Sequence, residues 1–283
     1  MEKISPDTIK RGLSTELLGQ HTIYYDSIGS TNDVAKQLAI QGAVQGTLII
    51  ADEQTAGKGR RGRRWIAPQG SSLLFSLILH PALAPSELPR LTMASALAAG
   101  CAIEETTGLA VHFKWPNDIL LEGKKAGGIL IEAGISGETV DYAVVGIGLN
   151  VNLDIAQIPE KAETATSMSM ELGQRTSRLE LLQSFLRFME REYQLLQEGV
   201  SPHSRWAARL PQLGQRVEVT TPWGRESGQA QSVDADGALI LRRDDGTAAR
   251  VTVGDVEQHL KTEGPSPRPT EARGPLCLRF PDW

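Results

Sequence analysis

The sequence has little of what would make it a secreted, membrane-bound or covalently stapled protein. Only two cysteines occur in 283 residues. Cys101 lies inside an apolar stretch and Cys277 near the end, neither with metal or redox spacing, so no disulfide framework is expected and a reducing cytoplasm fits best. No apolar run reaches the roughly 20 residues that span a bilayer; the most apolar is Leu91 to Ile103, and the N-terminus MEKISPDTIKR has no apolar core behind its charges. A soluble, unexported, cytoplasmic protein with no membrane partner is expected. An excess of positive charge is also missing. Twenty-nine Lys and Arg against 34 Asp and Glu give a net charge of -5, so phosphate chemistry would need a local basic patch. His21, His80, His112, His203 and His259 show no metal spacing, and no Ser or Cys sits in a nucleophile motif, which leaves covalent catalysis by the chain unsupported. What is present, 40% hydrophobic residues in this length, suffices for a substantial core and about two domains.

The pattern predicts an α+β arrangement, a mixed sheet with helices, rather than a doubly wound one. A helical segment over Pro6 to Leu18 precedes a strand, Thr22 to Asp26, and a helix that Ser30-Thr31-Asn32 can cap, with Val34, Ala35, Leu38 and Ala39 on one face. Strands follow over Thr47 to Asp52 and Ser72 to His80, then a long helix from Ser86 to Gly108. Four strands after it read as antiparallel: Val111 to Lys114, Ile119 to Leu121, Gly128 to Ala133 and Val140 to Val151. Ser177 to Gln197 is helical by its leucine and phenylalanine spacing, and a short helix to Arg209 ends a first domain over 1–209. Short strands between Gly/Asp turns suggest a small β-barrel over 213–260, and the Pro-, Gly- and charge-rich segment 261–283 reads as a mobile tail.

Three motifs bear on chemistry. GKGRRGRRW puts five positive charges within residues 58 to 64, interleaved with glycines that let backbone N–H groups approach an anion. It matches G-x-G-x-x-G literally, but a strand follows it rather than a helix, so the dinucleotide-fold reading fails; a solvated basic loop and a nucleic-acid contact stay open. In VGIGLNVN a strand period of two places Gly146, Gly148, Asn150 and Asn152 on one face and Val145, Ile147, Leu149 and Val151 on the other. One face suits the core and the other a flat ligand, or else a bulge or close helix packing. In Lys114-Trp115-Pro116-Asn117-Asp118 a basic strand end meets a polar turn; Lys114 could face a phosphate and Asp118 a magnesium ion. An extended chain aims only one of Lys124 and Lys125 into a cleft.

Taken in order, Ser30-Thr31-Asn32, DEQTA with GKGRRGRRW, KWPND, GKKAGGILIE and GIGLNVN resemble the biotin protein ligases, or biotin-[acetyl-CoA-carboxylase] ligases, over about residues 14 to 260. The resemblance implies a class II tRNA synthetase-like catalytic domain plus a small SH3-like β-barrel. It implies activation of biotin with ATP and magnesium as biotinyl-5'-AMP, then transfer to one lysine of a biotin carboxyl carrier protein. By motif, Ser30, Thr31, Asn32 and Gln54 would line the biotin pocket. Lys58, Gly59 and Arg60 would form the loop over biotin and adenylate, and Lys125 would meet the biotin carboxylate and α-phosphate, Arg60 and Lys125 being the catalytic pair. Arg63, Lys114 and Asn150 would bind ATP and Asp118 the metal. Lys58 stands where many members carry Arg, a point charge in place of a bidentate fork. The chain begins too close to Ser30 for the N-terminal helix-turn-helix of some members, so ligase without repressor activity and no specific DNA binding are expected. A homodimer is compatible with the reading. The alternatives are a lipoate-protein ligase and a non-catalytic adenylate- or nucleic-acid-binding module.

Overall fold

The strand segments Leu48–Ala51 and Ser72–Leu79, apolar at nearly every position and buried on both faces, build the centre of the molecule, and helices cover them. The computed structural model describes residues 4–158 and 163–257. In chain order these form α1 (Pro6–Arg11), β1 (Thr22–Tyr25), α2 (Thr31–Ile40), β2 (Leu48–Ala51), β3 (Ser72–Leu79), α3 (Leu88–Thr107), β4 (His112–Lys114), β5 (Asp118–Leu121), β6 (Lys124–Ser136) and β7 (Thr139–Asn150). There follow α4 (Met168–Leu172), α5 (Arg178–Gln197), α6 (His203–Ala207), β8 (Arg216–Thr221), β9 (Gly224–Val233), β10 (Leu239–Arg242), β11 (Ala248–Val251) and β12 (Asp255–Glu257).

The first seven strands make one mixed sheet of order β1-β2-β3-β7-β6-β5-β4, in which β1 and β2 are parallel and the other neighbours antiparallel. Leu73, Phe75 and Leu77 of β3 and Val145, Ile147 and Leu149 of β7 point to the side packed by α3 and α5, where Phe75 meets Phe185 edge to face at 5.0 Å. On the opposite side α2 packs Ala35 and Ala39 on Ile49, Ile78 and Val144. The second sheet, order β11-β10-β9-β8-β12, is antiparallel, and its Val219, Leu239 and Val256 belong to the same continuous core as α3 and the large sheet. Trp115, beside a cis bond to Pro116, ties the two together by donating its indole N–H to the Gly237 carbonyl at 2.8 Å. No helix among the described residues is long and apolar enough to cross a membrane.

Several elements differ from the sequence expectation: α4 forms where no helix is expected, and β6 starts at Lys124 rather than at Gly128. The first helix stops at Arg11, because Gly12 caps it and the segment beyond is held by Glu190 instead of by helical bonds. Ser86 does not cap the long helix: Pro85–Glu87 forms a 3-10 turn, with the Glu87 carboxylate accepting from the Ala84 N–H at 2.9 Å, and α3 starts at Leu88. It ends as expected, at Gly108 with φ of +73°. The strand β12 was not foreseen. The expected tail, 261–283, lies outside the described residues, as do 258–260 of the expected barrel.

Glu190 is buried on α5, and its carboxylate accepts from the backbone N–H groups of Glu16, Leu17 and Leu18 at 2.7, 2.8 and 2.7 Å. Removing it leaves these donors without their partner, so Glu190→Ala is expected to lower the unfolding free energy by about 3 kcal/mol. Urea denaturation followed by circular dichroism checks this. A loss below about 0.5 kcal/mol, the scale of an ordinary surface change, would mean that the segment holds itself in place.

Candidate functional site

The expected alternation along β7 is what opens the site. Gly146, Gly148 and Asn150 face away from the core, and α2 covers only the far end of that side. The uncovered part floors a cleft of about 610 Å³. Ser30, Thr31, Asn32, Gln54, Lys58, Gly59, Arg60, Arg63, Lys114, Asp118, Lys125 and Asn150 all line it. Asn152 does not. Its carboxamide is paired with the Thr176 backbone instead.

One end of the cleft is polar and closely packed. Ser76 on β3 lies opposite Gly146 on β7, and the Ser76 hydroxyl donates to Asn32 Oδ1 at 2.6 Å while lying 2.8 Å from Thr31 Oγ1. Gln54 Oε1 accepts from the Thr31 N–H at 2.7 Å, and Asn32 Nδ2 donates to Glu132 at 2.9 Å. The start of α2 can approach this closely only because residue 146 has no side chain: a Cβ there would stand 2.1 Å from Asn32 Oδ1. Ser30 takes the N-cap position of α2, but without a side-chain cap hydrogen bond.

The middle of the floor is covered by Trp65. Its ring lies across Gly148 and Gly128, where added Cβ atoms would be 2.7 and 3.4 Å from it, and its buried indole nitrogen has no hydrogen-bond partner among the described residues. Lys125 Nζ stands 5.8 Å from the ring centroid. Lys125 and Gly128 share this face although they are three residues apart, because β6 bulges where the β5 register shifts between Ile119 and Leu120. The bulge turns both Ala126 and Gly127 toward the core. Lys124 is exposed and does not line the cleft, so one lysine of the pair is aimed inward, as strand geometry requires.

The KWPND turn seats two cations on consecutive residues. Arg60 Nη1 donates to Asn117 Oδ1 at 3.0 Å, and Lys125 Nζ donates to Asp118 Oδ1 at 2.6 Å. Burial pushes the Arg60 pKa down, and Asp255 and Asp118 act against that. Lys58 pairs with Asp33, a bond that raises its pKa. Asn150 is buried and donates to the Thr166 carbonyl at 2.9 Å, which orients its oxygen relative to the cleft. The basic loop is exposed at Lys58 and from Arg61 to Arg64, yet it is folded on itself, and its path is not that of a dinucleotide turn. Gly59 N–H to Arg63 O at 2.7 Å and Trp65 N–H to Gly57 O at 2.9 Å close it, and Arg61 and Gly62 make the reversal with φ of +56° and +73°.

Trp65, Ser76 and Asp255 were not assigned from sequence, though all three bear on the cleft. The signal for Trp65 was an aromatic directly after the glycine-arginine loop. Ser76 and Asp255 carried none. As for a metal, no group of three or more His, Cys, Asp and Glu side chains converges among the described residues, and Asp118 is already paired with Lys125. The donor set does not make a resident magnesium cage.

Comparison with known proteins matches the chain to one family. The model of the biotin/lipoate A/B protein ligase family matches residues 24–150, and that of the biotin protein ligase C-terminal domain matches residues 213–257. The chain is 36% identical over 258 residues to the bifunctional ligase/repressor BirA of Bacillus subtilis, spanning 90% of this chain and 79% of that one. It is 35% identical over 234 residues to the biotin--[acetyl-CoA-carboxylase] ligase of Paracoccus denitrificans, spanning 81% and 95%. The biotin protein ligase from Aquifex aeolicus, solved in complex with biotin and ATP, superposes with a TM-score of 0.71 at 27% identity, covering 84% of this chain and 98% of that one.

Gly148→Val is expected to push Trp65 off the floor, since its Cβ would fall within 2.7 Å of the ring. Acrylamide quenching, with the Trp65 share isolated by subtracting the matching Trp65→Phe protein, should rise as the half-buried ring moves into solvent. Unchanged quenching would mean that the ring is seated elsewhere.

Proposed function

The chain belongs to the biotin/lipoate A/B protein ligase family, and from that premise we propose that it activates biotin with ATP and transfers it to a lysine of a biotin carboxyl carrier protein. It is an enzyme of the biotin--[acetyl-CoA-carboxylase] ligase kind. The observation that carries the mechanism is the pair of cations held by consecutive residues, Arg60 on Asn117 and Lys125 on Asp118, at the edge of an uncharged glycine floor. A carboxylate attacks a phosphate only where their mutual repulsion is offset by fixed positive charge. In this reading a biotin carboxylate oxygen forms a bond to the α-phosphorus as pyrophosphate leaves, with Lys125 and Arg60 neutralising the joined anions. An acceptor lysine amine then attacks the carbonyl of the mixed anhydride, loses a proton, and AMP departs.

The remaining residues take roles that suit their positions. Ser30, Thr31, Asn32 and Gln54 shape the polar end that would hold the ureido ring. Lys58, Gly59 and Arg60 would form the loop over the intermediate, and Arg63, Lys114 and Asn150, which line the same cleft, would meet the nucleotide. Trp65 offers a π-face within the same cleft. Magnesium would enter with ATP and offset phosphate charge, and Asp118, which lines the cleft beside Lys125, is a carboxylate that would help hold it. A lipoate ligase shares the matched catalytic family model; the match to a biotin protein ligase C-terminal domain favours biotin.

The test is pyrophosphate release from ATP with biotin or lipoate, with and without a carrier protein. Release that depends on biotin, followed by lysine labelling, is expected; release with lipoate alone would move the chain to the sister activity. Lys125→Ala should cut adenylate formation by about 100-fold or more while weakening biotin binding far less, since the charge acts chiefly as the phosphate is attacked. Equal losses in both would remove it from that role. Arg60→Gly should let the adenylate escape, so that a lysine-rich bystander protein becomes biotinylated faster than with the wild type. No rise despite continued adenylate synthesis would show that the loop is not what retains it.

A further inference from the structure

The charges of the basic loop do not end at the cleft. Asp255, the first residue of β12 in the small sheet, accepts from Arg60 Nη1 at 3.3 Å, Arg61 Nη1 at 3.5 Å and Arg63 Nη2 at 2.8 Å. Its neighbours take part. The Gly254 carbonyl accepts from Arg60 Nη2 at 3.2 Å, and the Thr220 carbonyl, on the strand paired with β12, accepts from Arg61 Nη1 at 3.0 Å. One carboxylate from a separate part of the chain thus meets three guanidinium groups. The side chain is only 18% exposed, which limits screening of its charge.

We propose that Asp255 is a positioning residue for the ligation reaction: it holds the arginine loop against the small sheet and so sets Arg60 at the cleft before substrate arrives. The inference rests on the ligase reading given above and extends it to a residue outside the catalytic sheet. Three nearby cations repel one another, and Asp255 offsets part of that repulsion, leaving an excess of positive charge for an anionic ligand. Arg60 has acceptors on two sides, Asn117 on the large sheet and Asp255 with Gly254 on the small one, so its guanidinium plane is fixed rather than swept through solvent. Arg63, with its side chain 68% exposed, bonds from the rim of the cleft, where an exchange from Asp255 to a phosphate oxygen needs only a side-chain rotation, whereas Arg61 lies outside the cleft and is held by the Thr220 carbonyl as well. The small sheet therefore takes part in adenylate formation through the loop, without a side chain of its own having to touch the reacting atoms.

Two measurements on the full chain test this. The first needs no substrate: limited trypsin digestion, with cleavage after Arg60, Arg61, Arg63 and Arg64 followed by mass spectrometry. Asp255→Ala should speed cleavage in the loop about tenfold relative to the remaining sites, and Asp255→Glu should restore slow cleavage. The second compares half-reactions. Asp255→Ala should lower kcat/KM for ATP in biotin-dependent pyrophosphate release about tenfold with biotin binding changed less than about threefold, and in an Arg60→Ala background it should add no more than about twofold. Unchanged loop cleavage overturns the proposal whatever the activity. Additive effects of the two substitutions, or equal losses in biotin binding and adenylation, overturn it as a device acting through Arg60. If wild-type protein releases no pyrophosphate with biotin, the ligase reading fails, and with it the assignment to ligation, while the digestion still decides whether Asp255 orders the loop.

Discussion

How closely other groups can approach the backbone of β7 sets the rest of the site. With no side chain at 146 and 148, the start of α2 and the ring of Trp65 lie directly on the sheet, and the cleft forms between them. A methyl group at either position would collide with Asn32 or Trp65, both part of the wall. The opposite face of the same strand carries Val145, Ile147 and Leu149 into a packed core, so the strand that exposes bare backbone to the cleft is also anchored on its other side. Rigidity and access come from alternate residues of one segment.

The cationic side of the cleft follows a second constraint, the placing of like charges close together without losing their direction. Lys58 is held by Asp33, Lys125 by Asp118 and Arg60 by Asn117, while Asp255 is shared by Arg60, Arg61 and Arg63. The β6 bulge brings Lys125 to the same face as Gly128, and the KWPND turn supplies adjacent acceptors. These are local devices, each a few residues long. Together they aim charge at a point that no single segment defines.

This division explains what could be read from the sequence. The faces of GIGLNVN, the strand order around the turns, the inward aim of one lysine of the pair and the membership of the cleft all follow from strand period or from motifs, both of which are local. The seat of Trp65 depends on glycines 63 and 83 residues farther along the chain, and the partnership of Arg60 with Asp255 spans 195 residues. Such pairings leave no periodic trace. Strand β12 was missed for a related reason: three residues, two of them acidic, offer no alternation to detect, and the strand exists because β8 presents an open edge. The premature end of the first helix likewise depends on Glu190, far away on α5.

The continuity of the hydrophobic core across the two sheets has a mechanical consequence. Val219, Leu239 and Val256 share that core with α3 and the large sheet, Phe113 stacks on Trp206 just before the small sheet begins, and Trp115 bonds across to Gly237. Swinging the small sheet away as a rigid flap would expose this apolar surface to water at a cost that scales with its area. The two sheets should therefore melt as one cooperative unit. Exchanging the small sheet for that of a relative would need its buried face to be matched residue for residue, since the seam between the two parts is interior rather than surface.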